Sequence, residues 1–326
     1  MLFINSNLEE SFSGTSVIGD KYVITTDMLG KGSYAKVFRG HMKANPSIQI
    51  AVKEIELSGK SSNPKFLQTL DREINILRRF NHPNIIQLYD VVRLPDKMFI
   101  FLEICEDGDL KKLITEQKQK IFPEKQVLAM VSQMVDAFKV MYENNVIHRD
   151  LKPANILIQK NLYKISDFGF ARELYCGMDE PAALTRYGSP LYMCPQILKG
   201  TPFSSKCDVW SLGIIAYQML YGKTPWIGIS PPDLLNNIEK NPKMKFPEEF
   251  KVSEPMKEMI TKMLIWEDEK RISWPEIFKS ELFRNDKSSS LSAGVKNSTV
   301  PVFAKNEAPV SFSQKIKKNL CCCFGG

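Results

Sequence analysis

Apolar and polar residues alternate with the two-residue period of β-strands through most of residues 22–104. The alternation predicts strands over residues 22–29, 48–55, 85–94 and 98–104, and a further strand that ends near Met42. A single helix interrupts them. Asn63 and Pro64 form a helix start signal, and Phe66, Leu70, Ile74 and Leu77 follow at helical spacing. We therefore expect a small antiparallel sheet that carries one helix.

From Phe122 onward the apolar residues follow a helical period. Val127, Val131, Met134, Phe138 and Met141 form one apolar face, which predicts a core helix. Residues 208–220 are apolar almost all round, which is typical of a buried central helix. Residues 170–194 are polar, irregular and interrupted by Gly and Pro, the profile of a mobile segment.

Both ends of the chain lack periodicity. Residues 1–20 are polar, which predicts a flexible leader, and residues 285–326 are rich in Ser, Lys and Asn, which predicts a disordered tail. Residues 21–284 then form the folded domain, and that length is sufficient for a sizeable core.

The first predicted strands carry residues suited to phosphate binding. Gly30 and Gly32 lie between two strands, where the absence of side chains lets backbone amides approach phosphate oxygens. Alone, two glycines here are as typical of a hairpin turn. Lys53 follows on a nearby strand, where a lysine usually faces solvent. Glu73 lies on the apolar face of the predicted helix, and a carboxylate there needs a partner, for which Lys53 is the candidate.

A second group of polar residues surrounds a predicted hairpin. Apolar runs at residues 156–158 and 163–165 flank a polar turn, and pairing them brings Asn155 and Asp167 to the same end. An amide oxygen and a carboxylate are the hard ligands that Mg²⁺ prefers. Asp150 lies five residues before Asn155, near enough to receive a proton from an attacking hydroxyl group.

The motif HRDLKPAN, ending at Asn155, and the later DFG, beginning at Asp167, together resemble the catalytic and metal loops of eukaryotic protein kinases. Lys152, two residues after Asp150, is similar to the lysine found in the serine/threonine branch of that family. LGKGSYAKVFRG, DFGFAR, LTRYGSPLYM and DVWSLGIIAYQML are most similar to the autophagy-initiating serine/threonine kinases. The resemblance implies an α+β bilobal fold, with a small antiparallel-sheet N-lobe that carries one helix and a larger, mostly helical C-lobe.

The resemblance also implies an activity, the transfer of the γ-phosphoryl group of ATP to protein Ser/Thr hydroxyls with Mg²⁺ (EC 2.7.11 class). Asp150, Lys152 and Asn155 are the implied catalytic residues, and Asn155 and Asp167 the implied metal ligands. The implied nucleotide-binding residues are Gly30, Gly32, Val37, Ala51, Lys53, Glu73, Glu103, Cys105, Asp109, Leu157 and Asp167. A helix cap explains Asp109 equally well.

Regulation by phosphorylation is a further implication. Thr185 matches a threonine that is phosphorylated in related kinases, and Arg149 and Arg172 match the basic residues that hold its phosphate. An unmodified loop threonine is the alternative.

The motifs depart from the family in two places. Ala35 replaces the third glycine of the loop, and Gln196 stands where kinases usually carry a glutamate that pairs with the arginine matched by Arg271. We expect Arg271 to be under-compensated, at a cost of about 1–3 kcal/mol. Both departures favour an alternative function as a weakly active, nucleotide-binding scaffold. The intact set of Asp150, Asn155 and Asp167 opposes it.

Composition is that of an ordinary soluble protein, with 43% hydrophobic and 25% charged residues and no apolar run long enough to span a bilayer. Of the net charge of +7, the tail from residue 285 supplies +4, because it holds six Lys against Asp286 and Glu307. The remaining charge is too small for a nucleic-acid footprint. Cys105, Cys176, Cys194 and Cys207 are scattered without metal-ligand spacing, which predicts a reducing, cytoplasmic location.

The end of the tail carries a possible membrane signal. Lys315, Lys317 and Lys318 precede Cys321, Cys322 and Cys323. S-acylation beside a basic patch, which would attach the protein to membranes peripherally, and an inert cysteine cluster are the two alternatives.

Overall fold

The computed structural model describes residues 9–12, 15–32, 35–59, 63–117, 120–175, 177–182 and 188–283. Seven antiparallel strands form the sheet of the N-lobe, in the spatial order β1-β2-β3-β4-β5-β7-β6. The strands are β1 (Glu9–Phe12), β2 (Thr15–Ile18), β3 (Tyr22–Lys31), β4 (Ala35–Met42), β5 (Asn45–Glu56), β6 (Leu88–Arg93) and β7 (Lys97–Glu103). The antiparallel sheet predicted from alternation is confirmed.

Strands β1 and β2 correct the prediction for the N-terminus. They form a hairpin that pairs with β3, so the expectation of an aperiodic leader over residues 1–20 is wrong for this part. The physical reason is burial: Ile18 is fully buried on the sheet, beside Tyr22, whose ring stacks on that of Phe101 with centroids 3.9 Å apart. This gain in apolar contact overrides the weak local pattern.

Helix α1 (Pro64–Leu77) begins and packs as its residues predict. The side chain of Asn63 accepts a hydrogen bond from the backbone N–H of Lys65, and Pro64 occupies the first helical position, where its missing N–H is harmless. Leu70, Ile74 and Leu77 are buried in the core.

The C-lobe is mostly helical. Its helices are α2 (Leu110–Glu116), α3 (Glu124–Glu143), α4 (Pro195–Lys199), α5 (Lys206–Tyr221), α6 (Pro231–Lys240), α7 (Glu254–Met263) and α8 (Trp274–Lys279). Four short strands accompany them, β8 (Val146–Ile147), β9 (Ile156–Gln159), β10 (Leu162–Ile165) and β11 (Arg172–Glu173). The predicted α+β fold, with a small antiparallel-sheet N-lobe and a mostly helical C-lobe, is confirmed.

Helix α5 is the centre of this lobe, as predicted. All its residues except Gln218 are buried, and Trp210 stacks on Trp226 with ring centroids 5.4 Å apart. The predicted core face of α3 is also buried. None of the helices in the described part of the chain is both long and apolar enough to cross a bilayer.

One predicted strand is shorter than expected, and the reason matters for the site. Strand β6 begins at Leu88 rather than at residue 85, because Ile86 donates its N–H to Ile165 O at 2.9 Å. Ile165 in turn donates to Asn84 O at 2.9 Å. These bonds join the segment after α1 to β10 in the other lobe.

Candidate active site

The hairpin of β9 and β10 brings the predicted metal ligands to one end, as its alternation requires. Ile156 pairs with Ile165, so Asn155 and Asp167 flank the same end of the hairpin. The turn residues Lys160 and Asn161 both have positive φ, 49° and 64°, as a tight two-residue hairpin turn demands.

Asp150 lies at the centre of a dense hydrogen-bond network. Its carboxylate accepts bonds from Lys152 Nζ at 2.6 Å and from Asn155 Nδ2 at 3.1 Å on one oxygen. The backbone N–H of Ser189 donates to the other oxygen at 2.9 Å. Only 3% of Asp150 is exposed, and these three hydrogen bonds fix the orientation of its carboxylate.

Asp208 supports this loop and was not identified from the sequence as a site residue. It is buried in α5 and accepts hydrogen bonds from the backbone N–H groups of His148, at 2.7 Å, and Arg149, at 2.8 Å. Burial raises the pKa of Asp208, whereas His148 and the two backbone donors act against the rise. These bonds hold Arg149 at a φ of 69°, a conformation that non-glycine residues rarely adopt. A carboxylate inside an almost wholly apolar run was the available signal.

Lys53 and Glu73 form the predicted ion pair, with Nζ and Oε1 3.0 Å apart. Burial acts to lower the pKa of Lys53, but the charges of Glu73 and Asp167 and the bond to Glu73 outweigh it, and the pKa is raised. Lys53 therefore favours its charged form beside the Glu73 carboxylate. A cation so placed can bind phosphate oxygens.

Asp167 begins the DFG turn in the left-handed conformation, at a φ of 60°. Phe168 is buried and packs against Phe80 and His148, with ring centroids 5.8 Å and 5.2 Å away. A Cβ atom on Gly169 would lie 3.3 Å from Asp167 Oδ1, so glycine allows a close approach here. This packing orients the Asp167 side chain within the cleft between the lobes.

A cavity of about 370 Å³ occupies that cleft. Ten of the eleven residues implied to bind nucleotide line it, namely Gly30, Val37, Ala51, Lys53, Glu73, Glu103, Cys105, Asp109, Leu157 and Asp167. Gly32 is not among the lining residues. Its N–H donates to Ala35 O at 2.8 Å across the loop.

Asp109 does what the helix-cap alternative requires and also lines the cavity. Its Oδ1 accepts a hydrogen bond from the N–H of Lys112 at 2.8 Å, at the start of α2. Capping uses one oxygen, so the second remains chemically able to accept a bond from a ligand hydroxyl. The two interpretations are compatible.

A buried ion pair behind the cavity was not predicted. Lys164 Nζ lies 3.0 Å from Glu103 Oε1 and donates to Pro83 O at 2.6 Å, with only 6% of its side chain exposed. The pair joins β7 to β10 across the lobes. Burial, followed by the charge of Glu103, raises the pKa of the neighbouring Cys105 thiol to about 12, so it stays protonated at neutral pH.

The expectation of an under-compensated Arg271 is wrong. Arg271 is 1% exposed, and its NH1 lies 3.3 Å from the carboxylate of Asp268. Its NH2 donates to Gln196 Oε1 at 2.9 Å, while Gln196 Nε2 donates to Trp266 O at 2.6 Å. Asp268 supplies the charge that Gln196 lacks, and the Gln196 amide adds a second hydrogen bond to Trp266 O, which also accepts one from Arg271 NH2 at 3.0 Å.

The predicted regulatory group is only partly described. Thr185 lies outside the described residues. Arg149 donates through Nε to Phe170 O at 2.7 Å, and Arg172 donates through NH1 to Ala171 O at 2.9 Å. Arg149 thus contacts the segment directly after Asp167, and Arg172 is part of that segment. The tail cysteines, Cys321, Cys322 and Cys323, also lie outside the described residues.

Comparison with known proteins matches residues 23–283 to the protein kinase domain family. The chain is 39% identical over 237 residues to serine/threonine-protein kinase ATG1c of Arabidopsis thaliana, covering 71% of this chain and 31% of that protein. It is 35% identical over 258 residues to serine/threonine-protein kinase ULK3 of Xenopus laevis, covering 78% and 54%. It is 32% identical over 281 residues to human serine/threonine-protein kinase ULK1, covering 83% and 26%. The matched part thus spans from about a quarter to about half of these relatives, and the predicted resemblance to the autophagy kinases is confirmed.

Proposed function

This chain belongs to the protein kinase family, and we propose that it transfers the γ-phosphoryl group of ATP to serine and threonine hydroxyls of proteins. The observation that carries the proposal is the environment of Asp150, whose carboxylate is held by Lys152, Asn155 and the Ser189 amide. As the hydroxyl oxygen bonds to the γ-phosphorus, the bond to ADP breaks and Asp150 accepts the hydroxyl proton. Lys152 balances charge on the phosphoryl group as it transfers.

The residues around the cavity fit a magnesium nucleotide. Asp167 offers a carboxylate, and Asn155 offers an amide oxygen, because its amide nitrogen already donates to Asp150. Two hard oxygen ligands suit Mg²⁺, which usually takes its other ligands from phosphates and water. When bound, the metal would neutralise the phosphates of ATP. Lys53 would hold the α- and β-phosphates, and the backbone of the segment from Glu103 to Cys105 would bind adenine.

Of the two departures that favoured the scaffold alternative, Ala35 and Gln196, the second no longer does so. Arg271 is charge-compensated by Asp268, so Gln196 gives no sign of a degraded lobe. Ala35 remains, but the paired Lys53 and Glu73 and the complete Asp150 network oppose the alternative.

The test is phosphate transfer to a generic protein substrate by wild type and by Asp167→Ala. We expect transfer by wild type and a loss of at least about a hundredfold in the variant, since a ligand of the metal is removed. Asp71→Ala, which removes an exposed aspartate from α1, is the control and should retain activity. Equal, trace-level transfer by all three proteins would support the scaffold.

The same proposal covers regulation at Thr185. A phosphate there would form charge-assisted bonds with Arg149 and Arg172 and would order the segment after Asp167. Thr185→Ala should lower activity at least about tenfold. Full activity in this variant, with no phosphate found at Thr185 by mass spectrometry, would refute this part.

We expect the enzyme to prefer serine targets flanked by apolar residues over targets that follow an arginine. Kinases that select arginine present acidic residues in the docking cleft, and the matching positions here are the uncharged Ala154 and Gln218. Phe170 resembles the residue found in serine-preferring kinases. A peptide array with a dominant arginine requirement, or with threonine preferred to serine, would contradict this.

We also propose that the tail tethers the protein to membranes. Three lysines contribute about 3 kcal/mol at an anionic surface, too little alone, but one acyl chain on Cys321, Cys322 or Cys323 added to them suffices. In cells, hydroxylamine or replacement of the three cysteines by serine should release the protein from membranes. An unchanged distribution of the triple-serine protein would favour an inert cysteine cluster.

A further inference from the structure

The loop between α5 and α6 presents two large apolar side chains to solvent. Ile227 is 70% exposed and Ile229 is 99% exposed. Isolated apolar residues are common on protein surfaces, whereas an apolar patch that adjoins a cavity marks a binding surface. Neither isoleucine has a role in the proposed phosphoryl transfer, so their exposure calls for another explanation.

Hydrogen bonds and packing hold this loop in place. Ile227 O accepts a bond from Asn237 Nδ2 at 2.9 Å, and the backbone N–H of Ile229 donates to Asp233 Oδ2 at 3.0 Å. Gly228, between the two isoleucines, has no room for a Cβ atom because the backbone of α6 lies against it. The exposed side chains are therefore carried by a fixed loop, and a partner would bind them without first having to order it.

A cavity of about 640 Å³ adjoins the loop, and Ile227 is one of the residues that line it. Tyr217, Trp226 and Phe246 supply aromatic walls. Tyr217 OH donates to Lys245 O at 2.6 Å, and Trp226 Nε1 donates to the backbone oxygen of residue 241 at 2.8 Å. The polar atoms of these rings are thus already bonded, and what remains is apolar ring surface that suits a bulky apolar side chain.

The charges around the cavity are mostly positive. Lys223, Lys243 and Lys245 line it, are exposed, and form no ion pair within the described part of the chain. Glu248 is the one acidic residue among the described residues that line it. An acidic segment would therefore be attracted to this cavity. The tail of this chain, with six Lys against two acidic residues, has the wrong charge to occupy it.

A short series of contacts connects the cavity with the catalytic loop. Gln218 follows Tyr217 on α5, and its Oε1 accepts a hydrogen bond from Tyr192 OH at 2.9 Å. The turn at residues 190–192 contacts both α5 and α6. Directly before that turn, Ser189 donates its backbone N–H to Asp150. A protein bound at the cavity could therefore extend along this surface toward Asp150.

We propose that this cavity and the two isoleucines form a docking site for an acidic protein segment that contains a bulky apolar residue, and that substrates carry this segment apart from the hydroxyl that accepts phosphate. The apolar residue packs between the aromatic walls and Ile227, and its acidic neighbours meet the three lysines. The inference deepens the proposed function, on which only the role of the occupant as a substrate rests. Because Ala154 and Gln218 are uncharged, a second site would supply selectivity that the catalytic cleft lacks.

The first test measures binding to the full-length protein. The probe is a fluorescein-labelled peptide with a central Leu-Phe pair and four acidic residues on either side. We expect saturable binding by fluorescence anisotropy, and we expect it to weaken as the salt concentration rises. Replacement of the Leu-Phe pair by Gly-Gly, or of the acidic residues by lysine, should abolish binding. An absence of saturable binding would overturn the proposal.

Charge reversal tests the role of the lysines. Lys243→Glu/Lys245→Glu should weaken binding of the acidic peptide at least about tenfold and should bind the lysine-substituted peptide instead. The matched control is Lys262→Glu/Lys279→Glu, which reverses two exposed lysines of α7 and α8 and should bind as wild type does. Equal weakening in both double variants would show general attraction between opposite charges and would overturn the site.

The apolar part is tested by Ile227→Ser/Ile229→Ser. Both side chains are largely exposed, so we expect the melting temperature to stay unchanged. The affinity for the acidic peptide should fall at least about fivefold, because apolar surface that the peptide covers is lost. An unchanged affinity would overturn the proposed site.

An activity test separates docking from the proposed function. A peptide with a serine between apolar residues is compared with the same peptide joined to the acidic segment by a Gly-Ser linker. We expect the segment to lower KM at least about fivefold without changing kcat, and Lys243→Glu/Lys245→Glu to remove this difference.

The outcomes differ for the two proposals. Binding of the acidic probe without any phosphate transfer would support the docking site and refute the kinase function. Transfer that the acidic segment does not improve would support the function and overturn the docking role. Binding of phosphatidylserine vesicles that the charge reversal removes, without peptide binding, would assign this surface to a membrane and overturn the proposal.

Discussion

Two Lys–Glu pairs with the same 3.0 Å separation contribute residues to the lining of the cleft, Lys53 with Glu73 and Lys164 with Glu103. Lys164 and Glu103 join two strands. Lys164 also donates to Pro83 O, and Glu103 also accepts a bond from the backbone N–H of Gln87. Lys53 is on a strand, but its partner Glu73 is on a helix. Identical chemistry therefore has different roles: the strand pair is fixed by neighbouring backbone, whereas the helix pair depends on the position of α1.

The largest effect is expected from a substitution that removes the Lys53–Glu73 pair. Lys53→Met should lower kcat/KM by about a hundredfold to a thousandfold, because a preorganised cation for phosphate is lost. The melting temperature should fall less than in Lys164→Met, because 25% of the Lys53 side chain is exposed, against 6% of the Lys164 side chain. Lys36→Met, an exposed lysine on β4, is the control for kinetics and thermal melts. A large thermal loss with modest kinetic loss would show that this pair is structural after all.

The strand pair should give the opposite result. Lys164→Met leaves Glu103 without its buried partner and should reduce the free energy of unfolding by about 2–4 kcal/mol. Thermal or denaturant unfolding measures this loss. The control is Lys97→Met, because Lys97 is more exposed than Lys164 and lies 3.8 Å from its partner Glu54.

The double variant Lys164→Met/Glu103→Met sharpens the comparison. It should recover part of the loss, because the cost comes from the isolated carboxylate rather than from the absent ion pair. Additive losses in the double variant would contradict this explanation.

Arg79, which follows α1, forms an ion pair with Glu173 in β11. The contribution of this ion pair to stability can be tested through its dependence on pH. Arg79 is the main cause of a lowered pKa at Glu173. A depressed folded-state pKa contributes stability above the unfolded value, near 4.5, and that contribution disappears as pH falls through the folded-state pKa. Arg79→Ala should therefore lower stability at neutral pH by about 0.5–1 kcal/mol, and its difference from wild type should vanish in acid.

Thermal melts from pH 7 downward, with Arg78→Ala as the control, measure the effect. A difference that grows as pH falls would show that Arg79 stabilises the helix by contacts other than Glu173.

The smallest effect concerns another buried cation, Arg271. Gln196→Glu removes the amide donor to Trp266 O, while Arg271 already has Asp268 as a partner. We expect the melting temperature to be unchanged or to fall by an amount equivalent to about 1 kcal/mol. Asp268→Asn, which removes the charge that compensates Arg271, should be clearly more destabilising. A stabilised Gln196→Glu protein would show that Asp268 does not satisfy the arginine.

Local pattern was a good guide where structure depends on neighbours in the chain. The α1 start at Asn63 and Pro64 and the buried helix α5 follow from residues a few positions apart. The hairpin that brings Asn155 and Asp167 together does too. Residues 16–18 were misjudged because their pairing with β3 depends on the burial of Ile18 in a cluster that contains Phe101, far along the chain.

The partners of buried charges could not be predicted in the same way. Asp208 supports a loop 60 residues earlier in the chain, and Lys164 bonds to a carbonyl 81 residues away. Neither separation follows a strand or helix period, so no local pattern reports it.

The sequence by itself determined which residues form the candidate site, because Asp150, Lys152, Asn155 and Asp167 stand at spacings that a single loop and hairpin bring together. Only the tertiary structure decided how charge is balanced around that chemistry. Arg271 lies close in sequence to Asp268 and far from Gln196, yet it contacts both. The physical reason is that a buried charge must find a counter-charge or hydrogen bonds wherever the folded chain supplies them, and folding selects those partners by proximity in space.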